Sequence, residues 1–358
     1  MKLFNYLILV MLLISSCKED EVPAPVLNEN YGEGMYIVTD MGISFYNYKD
    51  SLSQVEDHIF KTVNNTSIIN PKSIRINGNK GYVVANKLYV VDINTFSLEA
   101  EVSGFHNAAQ CDIVSYNRAL VLDKGESAVK VVDLEKLEIT SKIETGDSTK
   151  PVFIISNSSA AFVLNGGGIP ENKKDSTVIV IKHRNILEPS TEISNVLSIG
   201  DNPNSAVIPL HLNVLCKGVY NPSNMINNSE SSFHVINQYS HVIYSSNILS
   251  GIYNAQNLIE NWNGSKYYFT AIGGIFRLNP DTYNTNLVLN INSDVIKIVV
   301  EEYEYADTDT TTAIGYYEKL YMNDLDSPNK IYKYNLGLSI FEDTLEVDGA
   351  VLDIQFKN

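Results

Sequence analysis

The sequence is short of the residues that staple, ligate or catalyse. It holds three cysteines and one tryptophan in 358 residues. Cys17, Cys111 and Cys216 lie too far apart for a disulfide framework or a zinc site, both of which need close, repeated spacing. The histidines His58, His106, His183, His211, His234 and His241 are scattered, and none pairs with another at ligand spacing. There is no Gly-x-Ser-x-Gly elbow, and Gly166-Gly167-Gly168 opens no helical pattern, so it is no phosphate cradle. Positive charge is scarce: 26 Lys and Arg against 42 Asp and Glu give a net charge of −16. That argues against a nucleic-acid partner, because a phosphate backbone is held by a basic surface. The N-terminal apolar stretch, Leu3 to Leu13, is too short to span a bilayer. No metal, no cofactor and no enzymatic activity are expected from such a set.

What is present begins with an address. Lys2, the apolar stretch after it, and Ser15 and Ser16 read as a secretory signal over residues 1–16. Ile14-Ser15-Ser16-Cys17 resembles the bacterial lipobox, which implies that Cys17 is acylated and becomes the mature N-terminus. Acyl chains hold durably once two are present, at about 0.8 kcal/mol per buried CH₂. Lys18-Glu19-Asp20-Glu21 resembles the export tag of Gram-negative lipoproteins displayed on the outer surface, although a solvated charge run reads the same way. Pro23, Pro25 and the polar residues up to Gly34 form a spacer, so residues 17–33 are a tether and 34–358 the fold. The expected location is the outer membrane, facing the exterior, with membrane contact through the lipid alone.

The body of the chain is repetitive. "YVVDINTFSLEAEV" from Tyr89 and "KVVDLEKLEITSKI" from Lys130 place Asp92 and Asp133 in the same position 41 residues apart, a blade-like period. Weaker copies of this turn occur at Asn47, Lys182, Asn237, Asn279 and Asn335, making seven. Each is preceded by a short apolar run ("MYIVTD", "GYVVAN", "RALVLD", "AAFVLN", "LNVLCKG", "YYFTAI", "KLYMND") and, from the second unit on, by another such as "SIRI", "CDIV" or "VFII". Short runs rich in Val, Ile and Tyr between Gly, Asn, Asp and Ser turns are strands. The first unit lacks the upstream run, and the chain ends on an orphan, "GAVLDIQF". The expected fold is therefore all-β: a seven-bladed β-propeller of four-stranded antiparallel blades, closed by pairing the C-terminal strand with the N-terminal blade. An irregular pair of β-sandwiches is the alternative. Cys111 and Cys216 sit inside strand-like runs, which points to buried free thiols.

With its "VVDINTF" and "VVDLEKL" turns and the connectors "IETGDSTKPVFI" and "LSIGDNPNSAVI", the chain resembles the YncE-like propellers of bacterial surfaces and periplasms. Lipid-anchored relatives with a similar tag include capture proteins that sit over an outer-membrane transporter, a cobalamin binder among them. The resemblance implies capture of a small molecule or glycan, with an outer-membrane transporter as a possible partner.

In a propeller, the loops entering each innermost strand and the loops between second and third strands crowd one end of the channel, where ligands bind. The entering loops bring Asn70, His106, Asn107, Gln110, Asp147, Lys150, Asn202, Asn204, Tyr253, Asn254, Gln256 and Asp294 to that end. Amides both donate and accept, which suits sugars or amide-bearing ligands, whereas short turns also select Asn and Asp for backbone reasons alone. Two long second-to-third-strand loops, residues 165–177 and 217–231, would rise beside each other, the second presenting Tyr220 and Asn221. His106 with Asp147 is the one pair with acid–base character. Trp262 is expected to pack at the opposite end. A ligand-binding lipoprotein leads these readings; an envelope interaction scaffold and a hydrolase or lyase are the alternatives.

Overall fold

The computed structural model describes residues 31–50, 52–146, 151–167, 175–183, 192–305 and 313–358, with side chains described outside 302–316. Residues 17–30 of the tether, Cys17 included, lie outside the described residues; Tyr31, near its end, is buried against Phe45 and Phe96 and belongs to the fold. The strands form seven antiparallel sheets. Their innermost strands are, in ring order, Val351–Lys357, Ser73–Asn77, Ala108–Ser115, Pro151–Ser156, Pro203–Val207, Gln256–Glu260 and Ile296–Tyr305. Each touches the next, and the last touches the first, so the chain is a closed seven-bladed β-propeller. Blades 1 to 7 follow that order.

Hydropathy sorts the strands from the axis outward. A middle strand is covered on both faces by neighbouring blades, so it must be a continuous apolar run. "AAFVLN", Ala160–Asn165, is buried at every position. The outermost strands meet solvent and are polar: of "EISNVLS", Glu192–Ser198, only Leu197 is buried. Apolar clusters fill the space between blades, as where Met35 and Ile37 meet Tyr321, Ile331 and Ile354 across the seam of blades 1 and 7.

The repeated acidic or amide residue is a turn device at the outer edge. Asp92 Oδ1 accepts from the backbone N–H groups of Asn94 (2.9 Å) and Thr95 (3.0 Å). Asp133, Asn237, Asn279 and Asn335 each do the same two and three residues on, and Asn47 accepts from Lys49 N–H. The side chain bonds the backbone that bends around it. The copy after Lys182 runs into residues outside the described set.

The ring closes as the orphan strand requires. Gly34 pairs with Lys357, Met35 with Phe356, Tyr36 with Gln355, Ile37 with Ile354 and Val38 with Asp353. The seam is reinforced by Ala350 N–H donating to Asp40 Oδ1 (2.7 Å), Thr39 Oγ1 to the Asp348 carbonyl (2.8 Å) and Tyr48 to Asn358 Oδ1 (2.6 Å). Six blades have four strands; in blade 1 three strands pair, and the fourth position is reduced to a bridge between Phe45 and Glu56. A helix, Ile59–Asn64, follows and buries Ile59, Phe60 and Val63 against Tyr36, Phe45 and Phe96. The all-β expectation has no helix there: its three buried positions are too few for a periodic pattern to show.

Candidate functional site

At the upper end, the loops into the innermost strands are held by backbone devices. Asn70, Asn202 and Asn254 occupy the same place, four residues before the buried apolar residue of their strands, and all adopt left-handed backbone geometry (φ +56°, +55° and +61°). Asn tolerates that geometry better than most side chains. Asn202 Nδ2 also donates to the Gly218 carbonyl (2.9 Å). His106 and Asn107 donate their backbone N–H groups to the buried carboxylate of Asp123 (2.9 and 2.8 Å), and Asp294 donates its N–H to Asn323 Oδ1 (3.0 Å). The polar residue ending the second strand is thus the anchor of the entering loop. Its signal was in the sequence as the Asp or Asn that ends "MYIVTD", "RALVLD" and "LYMN".

Gln110 and Asn204 work as latches between blades. Gln110 Oε1 accepts from Ile154 N–H (3.1 Å), and Asn204 Nδ2 donates to the Ala255 carbonyl (2.9 Å). Asp353 and Ser205, at the position equivalent to Gln110, accept from Ile74 N–H (3.1 Å) and Leu258 N–H (3.0 Å) of the following blades. Neighbouring innermost strands do not pair as one sheet, and these side chains satisfy backbone N–H and C=O groups that would otherwise be unmatched.

The remaining mouth residues meet in one sector. Asn254, Gln256 and Asp294 line a cavity of about 110 Å³ between blades 6 and 7, where Gln256 Nε2 donates to Asp294 Oδ1 (2.9 Å). Tyr220 and Tyr253 touch, with ring centroids 5.5 Å apart. The loop carrying Tyr220 is ordered by its own bonds: Val219 bridges Ser229, and Asn221 N–H donates to Asn228 Oδ1 (2.7 Å). Asp147 and Lys150 lie outside the described residues, as do positions 168–174 of the first long loop. The expected pairing of His106 with Asp147 therefore lies outside the described residues; within them His106 meets Glu126, Nδ1 to Oε1 2.5 Å. Lys130, then Lys142, hold that carboxyl down to about 2. His106, Asp123 and Glu126 come close enough to share an ion, but Asp123 is occupied by backbone donors and Glu126 by two lysines.

The convergence expected at the mouth occurs lower, inside the channel. A cavity of about 300 Å³ there is lined from all seven innermost strands. One side carries charge: Arg75, Gln110, Asp112, Lys297, Asp353 and Gln355. The other, from blades 4 to 6, is apolar, with Phe153, Ile155, Val207 and Ile259, and Glu260 at its lower edge. Arg75 Nε lies 2.9 Å from Asp112 Oδ1, and Asp112 Oδ2 accepts from the N–H and Oγ of Ser156 (2.7 Å each). Burial pushes the Asp353 carboxyl up, against the pull of Lys297. Burial likewise raises Glu260, whose Oε2 is buried without a hydrogen-bond partner among the described residues. Of these residues only Gln110 is among those expected from the entering loops. The available signal was a charge in the middle of an otherwise apolar innermost run, as in "SIRI", "VIKIVV" and "VLDIQF".

Glu260 and Ile298 also border a cavity of about 500 Å³ at the lower end, beside Asn261 and Trp262. Trp262, expected to pack, is 67 % exposed there. Cys111 and Cys216 are buried and free; burial raises both thiols, Cys216 to about 12.

No family model matches the sequence, and no curated protein does. Solved structures match in fold. A quinoprotein alcohol dehydrogenase-like protein from Bacteroides thetaiotaomicron is 12 % identical, with a TM-score of 0.62 over 92 % of this chain and 80 % of that one. A putative 6-phosphogluconolactonase from Bacteroides uniformis is also 12 % identical, with a TM-score of 0.62 over 91 % of this chain and all of that one. Hydrazine synthase from Kuenenia stuttgartiensis is 15 % identical, with a TM-score of 0.56 over 80 % of this chain and 90 % of that one. At such identities the likeness bears on the fold alone, and the varied names carry no shared chemistry.

Proposed function

We propose that this propeller is a lipid-anchored binding protein of the outer cell surface, taking a small molecule into its channel by equilibrium binding without a covalent step. The observation behind this reading is the channel cavity, to which every blade contributes a strand. A concave, part-apolar space with a few placed polar groups is the usual form of a ligand site. The mouth residues Tyr220, Tyr253, Gln256 and Asp294 would form its upper rim. The resemblance to YncE-like surface propellers supports the same reading, with an outer-membrane transporter as the partner receiving the ligand. Catalysis is not part of the proposal, which needs only binding groups in the channel.

The test is thermal unfolding of the mature, detergent-solubilised chain with cobalamin, haem, oligosaccharides and small organic acids. A ligand at 100 times its Kd stabilises the folded state by about 2.7 kcal/mol, so at least one is expected to raise Tm by several degrees. No rise with any of them sinks the binding reading. For the anchor, Cys17→Ser is expected to move the protein from the membrane fraction to the soluble fraction; continued membrane association would remove the lipid tether from the proposal.

A second reading, docking onto an envelope partner, is favoured by one observation. Met225 and Ile226, 59 % and 93 % exposed, stand at the tip of the loop beside Tyr220. Isolated apolar side chains on a surface are common, so this reading ranks second.

A further inference from the structure

The channel groups differ in what remains free to bind. The two aspartates are used up: Asp112 by Arg75, Ser156 and Ile113 N–H, and Asp353 by the N–H groups of Ile74 (3.1 Å) and Ile354 (2.9 Å). The cations are not. Arg75 meets Asp112 through Nε, which leaves its terminal amino groups for another acceptor, and it makes no other ion pair or hydrogen bond among the described residues. Lys297 makes none at all among them. Arg75 stands on the innermost strand of blade 2 and Lys297 on that of blade 7, flanking the strand of blade 1. In a chain of net charge −16, the free hydrogen-bonding capacity on the blade 7 to blade 2 side of this cavity is therefore cationic, while the unpaired Glu260 carboxyl across from it is raised toward its neutral form by burial. Opposite it stand Ile155, Val207 and Ile259.

We propose that the channel binds a small organic anion with an apolar body, its carboxylate between Lys297 and Arg75 and its body against the aliphatic wall of blades 4 to 6. This rests on the binding reading above and narrows it to a ligand class. Two features argue for it over a sugar. A wall of aliphatic side chains offers a polyol no hydrogen bonds, so its hydroxyls would be left unpaired. A charged donor to a carboxylate makes a stronger bond than a neutral one. The cavity, about 300 Å³, is at the small end for ligand sites and fits a compact acid.

Calorimetric titration of the mature chain with hexanoate and benzoate, against 1-hexanol, benzyl alcohol and acetate, tests this. Hexanoate and benzoate should bind at least tenfold more tightly than their alcohols, and hexanoate at least tenfold more tightly than acetate. Lys297→Met should abolish the preference for the acid over the alcohol, and Lys297→Arg should keep it. Lys297→Arg keeps the charge beside the buried Asp353 carboxyl and should retain the wild-type unfolding midpoint, and the acid-to-alcohol ratio of Lys297→Met is read within that one folded variant. Equal affinity for acids and alcohols, or undiminished acid binding by Lys297→Met, overturns the inference. A Tm rise with cobalamin or an oligosaccharide but no acid binding overturns it and leaves the binding reading standing. No binding by any compound overturns both.

Discussion

Ending the chain at Gly349, which removes the innermost strand of blade 1, is expected to leave no cooperatively folded protein at 25 °C. The lost strand pairs with Gly34–Thr39 along its length and buries Val351 (4 % exposed) and Ile354 (0 %). Each such side chain is worth about 1.5–3 kcal/mol in burial alone. Ile74 N–H would lose Asp353, an unpaired buried donor costing about 1–3 kcal/mol. The inner edge of blade 1 would be opened, and blades 7 and 2 would each lose the neighbour against which they pack. Together these approach the whole stability of an ordinary domain, about 5–15 kcal/mol. The point variant Ile354→Ala separates packing from pairing, since it keeps every backbone bond and removes only the buried side chain. It should lower the unfolding free energy by about 2–5 kcal/mol, whereas Leu352→Ala, at a position 38 % exposed, should change it by well under half of that. The readout is the urea midpoint followed by circular dichroism. A truncated chain that unfolds at the wild-type midpoint would mean that the seam carries no stability.

That seam was legible in the sequence because it is a counting problem. One unit lacked an upstream strand and one strand lacked a unit, and Ile37 opposite Ile354 is the outcome. The turn at Asp92 and its copies was legible for a related reason: side chains that bond the backbone two residues on are restricted to Asp and Asn, so the repeat survives where the strands themselves diverge. The site was harder. Asn70, Asn202 and Asn254 recur at one place in the entering loops because of left-handed backbone geometry, and that regularity looked like convergence on a ligand. Gln110 and Asn204 reach the next blade rather than the channel mouth. Period-two patterning says which residues share a face, but not that the face of an innermost strand abuts an axial hole. Arg75 and Lys297 were therefore passed over as strand residues.

His234 should make the fold acid-sensitive between about pH 6.5 and pH 4. It sits on the third strand of blade 5, Ser232–Ile236, 5 % exposed. Its Nε2 accepts the Gly200 N–H (3.2 Å), so the ring proton belongs on Nδ1, which lies 2.9 Å from Ser246 Oγ. Ser232 Oγ is 2.9 Å from Nε2, and the nearby Cys216 thiol, pushed up to about 12, stays neutral. Burial holds the imidazole down to about 4, from an ordinary value of 6.5. As pH falls below 6.5, the unfolded chain takes up a proton that the folded chain refuses, so stability falls until the folded imidazole also titrates near 4. The interval corresponds to about 3 kcal/mol. His183 and His241, also lowered by burial, act in the same direction. Asp353 and Glu260, raised by burial, bind protons more readily when folded and oppose the loss toward the acid end. Urea midpoints at pH 7.5, 6.0, 5.0 and 4.5 should therefore fall, and His234→Gln should fall less steeply over the same range. A wild-type midpoint flat from pH 7.5 to 5.0, or a variant with the wild-type slope, would place the acid response elsewhere.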